Sequence, residues 1–323
     1  MQKVKQIISK IYRYSYSVLT APFERRISKK DFEVIYSEMK NLYLVNKDNY
    51  DFSEFIVPQW NKNMLEIEKY FSNNFSFSFL NHQVIKATMF MYTHSEWKNI
   101  QKELISTYLT RNKAKEILRE YNIGKPLLND IGYVTSGNNI HHLYHLIKFF
   151  KETETNSSNI NTVVEVGGGY GNMSKIYKKM NKESTYIIID IPIFSYIQAV
   201  YLKTIFGREA VHIVHNNKIY IKKGSINVIP LNKKIFGEIS KIISGVDLFI
   251  STWALSESNE AMQSYVKSID YFKAKYLLLA YQKSADTFAF AEDIKNVTEI
   301  YDKIYDEETE YVKDNYYLFC KRK

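Results

Sequence analysis

The chain has 323 residues, 44 Lys and Arg against 35 Asp and Glu for a formal net charge of +9, and a single cysteine, Cys320. That length gives two domains or one large core with an appendage. One cysteine excludes an intramolecular disulfide framework or a cysteine-rich zinc module and points to a reducing compartment. The charge is not a nucleic-acid footprint: residues 1–30 carry +7 of it, and the Lys321-Arg322-Lys323 terminus outweighs the remainder. Apolar runs such as 276–281 fall far short of the ~18 residues of a membrane span. The 27 Tyr accompany abundant Lys, Asn, Ile and Phe and scarce Gly and Pro, which reads as codon bias rather than function.

Residues 1–20 place Val4, Ile7, Ile8, Ile11 and Val18 at helical spacing among Lys3, Lys5, Lys10 and Arg13, a basic amphipathic helix. An ordinary terminal helix is the first reading, and weak attachment to an anionic membrane surface the second. Arg13 interrupts any apolar segment of a secretory signal. Helical periodicity then predicts helices over 31–42, 60–71, 83–92 and 97–121. After Pro126 and the glycine-bearing stretch 131–139, a helix over 140–151 follows Asn138 or Asn139 as N-cap. Beyond the polar linker 152–161 the pattern changes. Strands are predicted over 162–166, 186–190, 226–229, 247–251, 276–280 and 316–320, the last as an antiparallel edge strand. Helices fill most of the gaps, over 173–180, 193–206, 234–243 and 259–272. This alternation predicts a mostly parallel sheet with helices on both faces.

The strand 162–166 runs into Gly167-Gly168-Gly169-Tyr170-Gly171 and then a helix, so backbone can approach a ligand closely at a helix N-terminus. A dinucleotide fingerprint would want a small residue at Asn172. The acid Glu165, two residues before the loop, would repel a pyrophosphate but suits the amino group of a methionine moiety. Asp190, ending the next strand, can accept both hydroxyls of a ribose. These features favour S-adenosylmethionine over NAD.

Glu165-Val-Gly-Gly-Gly-Tyr-Gly171 followed by Ile189-Asp190-Ile191-Pro192 resembles the class I S-adenosylmethionine-dependent O-methyltransferases. The segment from Val246 to Glu257, with Gly124-Lys-Pro126 and the run from Asn138 to His145, is similar to the narrower sugar O-methyltransferase family. The resemblance covers roughly residue 121 to the C-terminus. It implies a Rossmann-like class I methyltransferase sheet over 131–323, helices on both faces, and a mainly helical cap or substrate region over 1–130. It further implies that Glu165, Gly167, Gly168, Gly169, Tyr170, Gly171, Asp190, Ile191, Pro230, Leu231, Ser251 and Thr252 hold the cofactor.

A sugar hydroxyl is a poor nucleophile at neutral pH, so a positioned base is expected. His141, His142 and His145 share one helix, with Tyr144 beside them as a substrate contact. No metal is expected, because no Cys lies near and the helix over 140–151 has no carboxylate. Glu257 is the other candidate base, with Trp253 and Ser256 as substrate contacts; a capping role for this cluster ahead of Asn259 is the competing reading. His212 and His215 read as edge-strand or turn residues.

The leading function is O-methylation of a hydroxyl on a sugar or glycan precursor. A phenolic or polyketide acceptor is the alternative, and a cofactor-binding but non-catalytic assembly protein the reading from another class. RNA methylation is disfavoured because Ser251-Thr-Trp-Ala254 replaces the Asn/Asp-Pro-Pro-aromatic signature of base-amino methyltransferases. The expected location is cytoplasmic, with peripheral attachment at the inner face of the membrane through residues 1–20 as an option.

Overall fold

The computed structural model describes residues 23–24, 27–90, 95–214, 219–243 and 245–323. The expected amphipathic helix of residues 1–20 and His215 lie outside them. The chain opens with helices α1 (Lys29–Asn46), α2 (Pro58–Asn73), α3 (Gln83–Met89), α4 (Ser95–Tyr108), α5 (Arg111–Leu118) and α6 (Gly137–Glu152). There follow β1 (Thr162–Val166), α7 (Asn172–Met180), β2 (Thr185–Asp190), α8 (Pro192–Phe206), β3 (Val211–Ile213), β4 (Ile226–Pro230), α9 (Lys233–Ile242), β5 (Leu248–Thr252) and α10 (Glu260–Ser268). Strands β6 (Tyr276–Gln282), β7 (Tyr301–Glu308) and β8 (Asn315–Arg322) complete the chain.

Among the described residues the sheet has the order β3-β4-β2-β1-β5-β6-β8-β7. All pairs from β3 to β6 are parallel, while β8 runs antiparallel between β6 and β7. The connections reverse direction between β1 and β5, which leaves a crevice beyond their carboxyl ends. This is the Rossmann-like, doubly wound sheet expected from the sequence, with a helical N-terminal region.

Period-two alternation divides the sheet between two cores. Val163, Ile188, Leu248, Ile250, Leu278 and Phe319 face the side covered by α6, α7, α8 and the N-terminal helices. Val164, Ile187, Ile189, Phe249, Leu277 and Leu318 face α9 and α10. Burial on both faces explains why the strands read as near-continuous apolar runs. The N-terminal helices share the first of these cores: Phe32, Phe71 and Phe79 cluster with Tyr196 and Tyr201 of α8. A buried ion pair adds to the junction. Lys175 Nζ donates to Glu120 Oε2 (3.1 Å) and to Asn139 Oδ1 (2.8 Å).

Several expected boundaries are corrected. The helix over 97–121 is two helices, because Thr110 caps α5 by accepting from Lys113 N. Ser136, not Asn138 or Asn139, caps α6, its Oγ accepting from Asn139 N (3.2 Å). The helix over 259–272 stops at Ser268, followed by a left-handed turn at Tyr271 and Phe272 whose rings pack on Phe249. The final strand is antiparallel but internal, since β7 covers its outer side. β7 escaped detection because its exposed residues are mostly charged, as befits an edge strand that must resist pairing with other chains.

Candidate functional site

A cleft of about 630 Å³ opens at the switch point, within the range of small-ligand sites. Its floor is the loop after β1. Gly167 has φ +81°, and a Cβ there would fall on the side chain of Ala254, so the loop can pass the β5 turn only without a side chain. A Cβ at Gly169, by contrast, would meet nothing nearer than Met89 at 3.8 Å, so this face of the loop lies open.

Two carboxyls meet at this floor. Asp190 is 7% exposed; its Oδ2 accepts from Gly169 N (3.1 Å) and Gln198 Nε2 (2.7 Å), and its Oδ1 from Ile191 N (2.8 Å). Burial nevertheless raises its pKa to about 7, against the lowering effect of those donors. Glu165 is 2% exposed, and Tyr186 Oη donates to its Oε2 (3.0 Å). Burial raises its pKa to about 8, the Tyr186 hydroxyl opposing and the Asp190 charge adding. Both acids are therefore poised to ionise when a cationic or hydroxyl-bearing ligand replaces lost hydration.

The wall from α6 carries His141, His142 and His145, each held at Nδ1. Gln101 Nε2 donates to His141 (2.9 Å), Asn172 Nδ2 donates to His142 (3.0 Å), and His145 bonds the Tyr317 hydroxyl, which bonds Tyr311 (2.8 Å). Burial drives the His141 pKa down to about 3 and holds His142 and His145 well below the usual imidazole value. All three are neutral at pH 7. Among the described residues, no group of three or more His, Cys, Asp or Glu is arranged to hold a metal ion.

The turn after β5 lines the cleft beside these histidines. Trp253 sits at φ +64°, a strained backbone for a bulky residue, with its indole donating to Asn315 Oδ1 (2.6 Å) and packed on His141 and His145. Glu257 is partly buried and lines the cleft, and its carboxylate has no hydrogen-bond or ion-pair partner among the described residues. Burial raises its pKa to about 7.

Of the residues expected at a site, His141, His142, His145, Glu165, Gly167, Gly168, Gly169, Tyr170, Asp190, Ile191, Leu231, Thr252, Trp253 and Glu257 line this one cleft. Five do not. Gly171 packs under Leu202, and Pro230 lies in β4 beside Asp190. Ser251 Oγ donates to Val166 O, Ser256 Oγ to Trp253 O, and Tyr144 is buried against Tyr311 and Tyr317. The cap of α10 is Asn259, so neither Ser256 nor Glu257 is used for capping. Sequence reasoning gave residues 1–130 a cap or substrate role but named none of the residues involved: Phe55, Trp60, Met89 and Phe90 also line the cleft, as do Asn138 and Phe288. No short-range motif marks these positions; only Asn138, inside the matched run before the loop, carried a signal.

No family model matches the chain, and no curated protein matches it. Solved structures do. "Mitomycin 7-O-methyltransferase MmcR" aligns over 82% of this chain and 66% of its own, at 11% identity and TM-score 0.36. The magnesium protoporphyrin IX methyltransferase of Synechocystis PCC 6803, with bound SAH, aligns over 57% and 84% at 10% identity and TM-score 0.36. The Methanococcus jannaschii fibrillarin pre-rRNA processing protein aligns over 50% and 66% at 12% identity and TM-score 0.36. At these scores the fold description rests on the strand order, and the acceptors named for these proteins do not carry over.

Proposed function

We propose that the protein is an S-adenosylmethionine-dependent O-methyltransferase acting on a hydroxyl of a sugar or glycan precursor. The observation that carries the reading is one cleft joining the three-glycine floor, Glu165 and Asp190 to Glu257, whose carboxylate has no partner among the described residues. The residues present fit the cofactor. Asp190 keeps one acceptor site, on Oδ1, free for a ribose hydroxyl beyond the three donors it already meets, Glu165 suits an ammonium, and Ile191 and Leu231 offer apolar walls for a base.

When bound, the cofactor supplies an electrophilic methyl group: its sulfur–methyl bond breaks as the acceptor's oxygen–methyl bond forms, and the electron pair stays on sulfur. The chain's own task is to orient the acceptor and remove its proton. Glu257 is the residue placed to take that proton, with a pKa near 7 set by burial. Trp253 and the neutral imidazoles of α6 shape the pocket and exclude water. The sequence resemblance at 246–257 supports the sugar acceptor. A phenolic acceptor is the second reading, favoured by the apolar contribution of Trp60, Met89, Phe90 and Phe288 to the cleft.

S-adenosylmethionine or its demethylated product, at about 100 times its dissociation constant, is expected to stabilise the fold by about 2.7 kcal/mol and raise the melting temperature by several degrees. A shift with NAD and none with either sulfur ligand refutes the cofactor. Asp190→Ala is expected to weaken S-adenosylmethionine about 5- to 150-fold in calorimetric titration, the ~1–3 kcal/mol cost of unpaired buried hydroxyls. Unchanged affinity removes Asp190 from the site.

A further inference from the structure

Asn172 opens α7 directly after the glycine loop and is fully buried. Its amide nitrogen faces two acceptors at once, the Asn138 carbonyl (3.4 Å) and His142 Nδ1 (3.0 Å). An amide NH₂ only donates, and the carbonyl beside it only accepts, so the pair fixes which end of the side chain faces His142. Nδ1 of His142 must then accept. A neutral imidazole that accepts at Nδ1 carries its proton on Nε2, which makes the remaining nitrogen a donor. Burial, the neighbouring His141 and the Lys175 ammonium keep this ring uncharged. The ring lines the cleft and is only partly buried.

We propose that His142 is a fixed Nε2–H donor at the acceptor end of the cleft, its tautomer set by Asn172, and that it selects an oxygen acceptor over an amine. The inference rests on the methyltransferase reading above. The selection follows from lone pairs. A hydroxyl oxygen has two, so one accepts from His142 while the other attacks the methyl carbon. A neutral amine nitrogen has one, and a donor that binds it blocks the attack. His142 therefore cannot be the base expected from sequence: with Nδ1 engaged by Asn172, its other nitrogen already holds a proton. Abstraction falls to Glu257, which lines the same cleft.

The test uses protein carrying ¹⁵N-histidine at pH 7, saturated with S-adenosylhomocysteine, with two-bond ¹H–¹⁵N correlations assigned through His142→Gln. The expected spectrum shows His142 protonated at Nε2 and bare at Nδ1. Asn172→Asp, whose carboxylate can only accept, is expected to move the proton to Nδ1. Phenol and aniline, nearly isosteric and both neutral at pH 7, then serve as probes. Phenol is expected to shift the Nε2–H resonance; aniline can also accept from it, so the discriminating readout is turnover with S-adenosylmethionine, where phenol is expected to be methylated and aniline not. A wild-type His142 that is cationic or protonated at Nδ1 overturns the donor assignment without needing any variant to fold. No shift with phenol, or methylation of aniline as fast as or faster than phenol, overturns the selectivity. Failure of S-adenosylhomocysteine to bind, measured by calorimetry on the same sample, counts against the methyltransferase reading on which the selectivity rests, whereas the tautomer is read from the ring alone.

Discussion

Glu257→Gln is expected to lower turnover about 100-fold or more while the affinity for S-adenosylmethionine stays unchanged. Gln keeps the volume and hydrogen-bonding reach of Glu but cannot take a proton. Among the described residues it bonds to the fold only through its backbone, Glu257 N donating to Trp253 O (2.9 Å), so the exchange leaves the β5 turn in place. Its raised pKa of about 7 sets the sign of the pH dependence. The carboxyl must be ionised to act, so wild-type turnover falls as pH drops below about 7 and levels off above it. The variant is expected to lose that acid limb. Turnover equal to wild type at pH 8, with the limb intact, would transfer the base role to another group, of which His145 with its Tyr317–Tyr311 hydroxyl chain is the next candidate.

Gly167→Ala is expected to abolish measurable cofactor binding and to destabilise the fold by roughly 3 kcal/mol or more. Two costs combine. An L-residue at φ +81° carries about 1–3 kcal/mol of backbone strain. The added methyl also falls on the Ala254 side chain, and overpacking of this kind costs about 1–3 kcal/mol when neighbours must shift. The neighbours have little room. Gly167 N donates to Ile189 O (2.9 Å) at the end of β2, and Ala254 follows the strained Trp253. The matched control is Gly237→Ala in α9, where a Cβ would meet nothing within 4 Å and which should be neutral or stabilising by up to about 1 kcal/mol. Denaturant titration of both variants reads the difference; equal effects at the two positions would refute the account of the loop.

The glycine-loop side of the cleft was legible because its determinants are local. Glu165, the glycines and Asp190 sit within or just beyond two strand ends, and the register of β1 with β2 brings those ends together in any parallel pairing of the runs 162–166 and 185–190. The side lined by the N-terminal region was not. Trp60 comes from α2, and Phe55, Met89 and Phe90 from a short helical turn and the end of α3, segments whose periodicity reports only that they pack somewhere. Tyr144 shows the opposite error: its place beside three histidines suggested a substrate contact, but helical rotation turns it into the core against Tyr311 and Tyr317.

The sequence by itself determined the alternation of strand and helix, the glycine turn with its two acids, and the absence of a basic core, since each depends on neighbours along the chain. Only the tertiary structure decided which candidates share the cleft and what each one bonds. The three histidines are close in sequence and chemically alike, yet amides of Gln101 from α4 and Asn172 from α7 hold Nδ1 of His141 and His142, while the Tyr317 hydroxyl from β8 holds that of His145. A proton's location on an imidazole is set by the partner of its other nitrogen, and those partners lie 40, 30 and 172 residues away.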